Sequence, residues 1–435
     1  GAVNTGTHDL ILYTNGGAIT RNGGTVSNSF PATTYATASG GIDLAGAGGV
    51  NIWATSTGGG DIHLSGDSYI GFSVNTTGDV TIDSGGSVGN SGDVIAHSLG
   101  INAGNGISVY GSSATVNVGS YRYLTTAAGQ LEIQTPGDIH LDGDVTVDAS
   151  GNADWIHLQS TSGSILQNSG KIAGGYAITL DAAQSITQNT GAQVISNGPG
   201  GFYFTGTDVI LAGANQIDAI SSYTVSHDFT LRNAGDIQLW GNTVTSTGDW
   251  NLTSDTGSIS GVILAHKLTA TATNGFIRFN DGNSEIAELG ALTAKSTGGD
   301  NDVYIYSNTL LNLTGNITAG GVKLYAASGI NQTGGAITAD RLWTGTSGSL
   351  LIGGANNFGT LTEAFHPNGG TVTIRNRGDI TLPGAQNSFG TLTLTSDQGK
   401  ISQTDAITVA TLVAQAATGI DLSNTSNNFT TLNGL

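Results

Sequence analysis

The sequence predicts an all-β protein, a right-handed parallel β-helix (β-solenoid) drawn out into an elongated rod. Three observations carry that expectation. A repeat of about seventy-two residues runs through the chain, short stretches alternate apolar and polar residues with a period of two, and glycine punctuates those stretches.

The repeat emerges when segments opening on isoleucine are aligned. Ile186 begins ITQNTGAQVIS, Ile259 begins ISGVILAHKL, Ile330 begins INQTGGAITADRL and Ile401 begins ISQTDAITVATL, at separations of 73, 71 and 71 residues. Each copy then reaches a second landmark: NQIDAI from Asn215, NSEIAEL from Asn283, NNFGTL from Asn356 and NNFTTL from Asn427. A fixed period with aligned apolar positions marks one supersecondary unit stacked on itself, because a lone unit cannot bury its own apolar face.

The alternation supplies the strands. Gly41–Leu44, Asp61–Leu64, Asp79–Ile82, Val372–Ile374 and Ile420–Leu422 each place apolar residues two apart before meeting Gly, Asn, Asp or Ser. Glu285–Ala294 is the one segment with helical composition, but it aligns with the NNFGTL copies and is read as a strand and turn. Roughly nine strand-like stretches per repeat, at three sides per turn, predict about three coils of ~24 residues, with four coils of about 18 as the alternative. Right-handed winding follows from the handedness of parallel crossovers. Residues 1–435 read as a single continuous solenoid, with the clearest repeats over 155–435 and more degenerate coils over 1–154.

Composition agrees with a packed, export-compatible chain. The 435 residues include 69 Gly and 5 Pro but no Cys or Met, and only 10% are charged. Low charge with many β-branched residues argues against disorder, and a cysteine-free chain forms no disulfides. A start at Gly1 without Met is expected either from processing that removes a signal segment or from the way the chain was produced. The net charge of −19 would repel phosphate backbones and anionic membranes, so nucleic acid is not expected as a partner. No apolar run reaches the roughly 18 residues that span a bilayer, so no transmembrane segment is expected. Both termini fall inside repeat-like sequence without a polar cap, which suggests a piece of a longer rod or ends covered by neighbouring copies.

The phrases ITQNTGAQVI, GINQTGGAIT, GKISQTDAITVATL and NSFGTLTLTS resemble the repeats of bacterial surface proteins of the filamentous-haemagglutinin-like group. The resemblance covers about residues 155–435 well and the remainder loosely. It implies a right-handed parallel β-helix exported by two-partner secretion to the bacterial cell surface, with a role in adhesion, biofilm or matrix cohesion. The asparagine-proline-rich secretion domain of that group is not recognisable here. Partners implied are cell-surface or matrix glycans and proteins. Copies stacking head to tail into a filament are an alternative, since a head-to-tail contact that does not close makes an open polymer, and no cofactor is expected other than calcium.

Five features of the sequence have the residue types of a site. Arg377-Gly378-Asp379 has the form of a cell-attachment triplet, yet Phe229–Leu239 aligns with Val372–Leu382 and places Gly235-Asp236 in the same slot, so a turn before a strand is the expected role. Asp300 and Asp302 form the one approximate calcium pattern, carboxylates near glycine being hard oxygen ligands. His63, His140 and His157 share an Ile-His-Leu motif that points the imidazoles outward, and an external row of solvated histidines is expected rather than a metal site. Tyr304 and Tyr306 share one strand face and are candidates for glycan stacking, with cross-strand aromatic packing as their structural role. Asp142 and Asp144 are the closest-spaced carboxylates beside Asp300 and Asp302, and they would serve a glycan-active enzyme, the competing reading of an otherwise non-enzymatic chain.

Overall fold

The computed structural model describes residues 2–28, 32–46, 48–112, 114–148, 151, 154–239, 248–295, 302–362, 370–384 and 386–433, with backbone only for 386–389. Its described residues contain strands and turns and no helix, and none is long and apolar enough to cross a membrane as a helix. Every registered strand pair is parallel and joins one coil to the next, which makes the fold a parallel β-solenoid. The chain divides into two compact units, Gly1–Val225 and Ser226–Leu435.

In the first unit the coils are three-sided from about Leu131 onward. One ladder runs through Leu131–Thr135, Trp155–Ser160, Ala177–Ala182, Gly201–Gly206 and Ile220–Val225. A second runs through Ile139–Leu141, Ile165–Gln167, Ile186–Gln188 and Val209–Ile217. A third runs through Val145–Val147, Lys171–Gly174 and Gln193–Ser196, and ends on the same strand Val209–Ile217. Alternation decides which side chains enter the core: in Trp155–Ser160, Ile156 and Leu158 are buried while His157 faces outward. Stacked in register, these Ile, Leu and Val side chains form a continuous apolar column, each contributing about 1.5–3 kcal/mol by burial.

The second unit fixes the coil length. Seven ladder steps lead from Phe229–Asn233 through Asp249–Ser254, Leu264–Ala272, Glu285–Ala294, Leu310–Leu313, Gly329–Gln332 and Leu350–Ile352 to Thr371–Asn376. Phe229 and Val372 at its ends are 143 residues apart, so a coil averages about 20 residues. The expectation of three coils of ~24 per repeat is therefore corrected: 71 residues make about three and a half coils. Ile259 pairs Ile277 on one ladder, whereas Ile330 pairs Leu311 and Leu350 on another. Aligned copies one repeat apart thus stand on opposite sides of the coil, and the repeat returns to phase only after two. Glu285–Ala294 is a strand, as its alignment implied.

Close stacking also explains individual glycines. A Cβ at Gly143, inside Asp142-Gly-Asp144, would lie 1.7 Å from the carbonyl oxygen of Arg122 in the coil before it. No other residue fits there without moving that backbone.

Candidate functional site

The residues that mark the repeat form an amide clamp, buried on both sides at Gln188 and Asn215. Gln188 and Asn215 exchange hydrogen bonds through both side-chain amides, at 2.8 and 3.1 Å, and the Asn215 oxygen also accepts the backbone N–H of Val194. Gln332 and Asn356 repeat this at 2.9 and 3.0 Å, with Ile337 N–H as the third donor. Gln403 and Asn427 do so again at 2.9 and 2.9 Å, with Ile407 N–H. In the copy beginning at Ile259 the glutamine slot is Gly261, and Ser284 accepts the N–H of Ile263 instead. The landmarks were legible in the sequence, but their pairing required the fold.

The recurrent Gly-Asp pairs act between coils. Asp61, Asp138, Asp144, Asp236 and Asp379 each use Oδ1 to accept a backbone N–H from the next coil: Asp79, Ser164, Lys171, Ser258 and Lys400, at 2.7–3.0 Å. Asp142 accepts from Asn168 at 2.8 Å, so both carboxylates of Asp142-Gly-Asp144 are engaged in stacking. Asp302 is 3% exposed and accepts the N–H of Gly320 at 2.8 Å, while Asp300 lies outside the described residues.

Around its glycine and aspartate, Arg377-Gly378-Asp379 reproduces the turn bonds of its counterpart. Asn376 donates to the Asp379 carbonyl as Asn233 does to Asp236, and Ser396 donates to the Gly378 carbonyl as Ser254 does to Gly235. Arg375 pairs Asp397 as Arg232 pairs Asp255, each at 3.1 Å. Arg377 itself reaches Gln398 in the next coil at 3.0 Å.

Tyr304 and Tyr306 lie half-buried on the face the alternation predicts. The Tyr304 ring stands 5.7 Å from Tyr325, and the Lys323 ammonium lies 5.7 Å from Tyr304 and 4.7 Å from Trp343. Tyr325 in turn lies against Gly345, where a Cβ would come within 2.6 Å of its ring. These rings pack on one another and on a cation across coils.

The outward histidines do not form a row. His63 and His157 pair instead with carboxylates of the coils before and after, because the ladders place acids there. His63 Nδ1 is 3.3 Å from Asp43 and its Nε2 3.1 Å from Asp83. His157 stands 3.5 Å from Glu132 and 3.2 Å from Asp181, and His266 stands 3.1 Å from Asp249 and 3.8 Å from Glu288. His140 faces Asp138 of its own coil at 3.9 Å. The hydrogen bond to Asp181 raises the His157 pKa, opposed by burial and assisted by the charges of Asp181 and Glu132.

The first of these histidines belongs to a groove of about 430 Å³ on the first unit, where Asp43, Asp61, His63, Asp79 and Arg122 converge. Arg122 arrives there because it is the extra residue of a β-bulge: Leu99 pairs Tyr121 and Gly100 pairs Tyr123, leaving Arg122 between them. Its guanidinium crosses an intervening coil to the Val80 carbonyl and Thr81 hydroxyl at 3.2 and 3.1 Å, 3.5 Å from Asp79. Chemically the groove offers carboxylates, an imidazole held between two acids and one cation. Sequence spacing did not reveal it, because its members come from several coils spread between Asp43 and Arg122 and from a bulge that no pattern signals.

A family model described as repeats of unknown function (DUF5649) matches residues 369–435. No curated protein and no solved structure matches the chain.

Proposed function

We propose that this chain is a non-enzymatic structural and adhesive protein that works outside a bacterial cell, its solenoid serving as a durable scaffold for surface attachment or matrix cohesion. The observation that supports this reading is the density of bonds between coils. Backbone ladders, aspartate acceptors, amide clamps and acid–histidine–acid contacts tie successive coils without any disulfide. A coil so tied offers a protease few frayed segments, and a long outer face built from many stacked coils presents many weak contacts at once. Antibodies against the purified chain should label intact, unpermeabilised cells of the producing organism, and deleting the gene should reduce attachment or biofilm mass. Antigen confined to the cytosol would overturn the reading.

The groove at Asp43, His63, Asp79 and Arg122 favours a second reading, a glycan-active protein, because carboxylates with a basic residue in reach are what hydrolysis of a sugar chain needs. Release of reducing ends from a polysaccharide panel, lost in a folded His63→Ala variant, would establish it. No release across the panel leaves the scaffold reading in place.

A further inference from the structure

We propose that a trough on the first unit, bounded by Tyr69 and Tyr110, is a binding site for an uncharged glycan chain. The inference names a partner class for the adhesive reading and rests on it for its biological setting.

The trough begins with residue size. On the outer face the register runs Asn51, Gly71, Gly89, Ser108, Glu132 through five successive coils, so the middle of this column carries almost no side chain. The Tyr69 ring lies over the two glycines. A Cβ at Gly71 would stand 3.2 Å from its Cε1, and one at Gly89 would stand 3.5 Å from its hydroxyl. Tyr69 remains 43% exposed, so the side of the ring away from the glycines is open to solvent. Tyr110 stands on the opposite side, its hydroxyl donating to Glu132. Between them is a depression of about 530 Å³ that also takes in Ser87, Asn105, Ser108 and Gln130.

The chemistry of that lining selects the ligand. It contains no Asp, Glu, Lys or Arg, although the unit around it, residues 1–225, has 16 acidic residues against 3 basic ones. An anionic polymer would be repelled by the unit and would find no cation in the trough. A wholly apolar ligand would bury amides and hydroxyls without partners. A neutral sugar suits both parts: its C–H face stacks on tyrosine, and its hydroxyls reach the Asn105 and Gln130 amides and the two serine hydroxyls. The lining residues come from four successive coils, about 14 Å along the axis at the spacing of paired strands, which accommodates a chain of several sugars.

The test is calorimetric titration of the full chain with cellohexaose, mannohexaose, laminarihexaose and, as the charged probe, hexagalacturonate. At least one neutral hexaose should bind at a single site, and hexagalacturonate should not. Tyr69→Ala should weaken that binding tenfold or more with an unchanged melting temperature, and Ser108→Trp, which fills the trough, should abolish it. Tyr304→Ala should leave it unaltered. Absence of binding by all three neutral probes, binding that survives Tyr69→Ala and Ser108→Trp, dependence on Tyr304, or equal affinity for hexagalacturonate would overturn the assignment. Because this measures the purified chain, its failure is separable from failure of the adhesive reading, which is measured on cells.

Discussion

Gln332 and Asn356, one coil apart, hold each other by two reciprocal amide hydrogen bonds of 2.9 and 3.0 Å. Asn356 is fully buried and also donates to the Arg375 carbonyl at 3.2 Å, so one side chain ties three successive coils. The pair recurs as Gln188–Asn215 and Gln403–Asn427, which explains why glutamine and asparagine mark the repeat.

Truncating that clamp should be costly. Asn356→Ala removes the acceptor of the buried Ile337 N–H, the donor to the Arg375 carbonyl and both bonds to Gln332, whose amide keeps Gly335 and Gly354 as partners. A loss of about 1–3 kcal/mol is expected from the buried N–H left unpaired. Asn308→Ala, at an exposed position, should change stability by less than about 0.5 kcal/mol. Chemical denaturation of both variants measures the contrast.

His157 predicts a pH dependence. Its folded-state pKa is raised by Asp181 first, with Glu132 assisting. The stabilisation is therefore fully present below the unfolded imidazole value, about 6.5, and is lost as pH rises through the higher folded value. The melting temperature of the native chain should fall more from pH 6 to pH 8 than that of His157→Gln, in which this proton linkage is gone. Parallel melting curves across that interval would show that His157 plays no such part.

The Arg377-Gly378-Asp379 turn and its counterpart at Gly235-Asp236 should respond alike to mutation. Asp379→Ala and Asp236→Ala each remove one carboxylate acceptor from the next coil, and each should cost about 1 kcal/mol. Arg377→Ala should cost less than about 0.5 kcal/mol, as expected of an exposed side chain. Loss of cell attachment in Arg377→Ala at unchanged stability would instead assign the triplet to recognition.

Tyr121 offers a test in the opposite direction. Its hydroxyl is buried without a partner among the described residues, and burial raises its pKa. Tyr121→Phe removes an unsatisfied polar atom while keeping the ring, so the variant should be as stable as the parent or up to about 1 kcal/mol more stable. A destabilised Tyr121→Phe would reveal a partner for the hydroxyl.

Much of this protein was decided by sequence alone. Period-two alternation in stretches such as Trp155–Ser160 determines strands with one face inside, because side chains on an extended backbone point to alternate sides. The recurrence of those stretches, with Gly-Asp at their starts, determines a solenoid, and the alignment of Gly378-Asp379 with Gly235-Asp236 already identified a turn. Tertiary structure decided what depends on phase. A repeat of 71 residues is not a whole number of 20-residue coils, so Ile330 stands on the ladder of Leu311 and Leu350 while its sequence counterpart Ile259 stands on that of Ile277. The groove around Arg122, the trough beside Tyr69 and the carboxylates on either side of His157 all arise from residues of different coils. Which side chains meet there is fixed by how many residues each turn consumes, a quantity set by the corners of the coil and one bulge, and local patterning does not encode it.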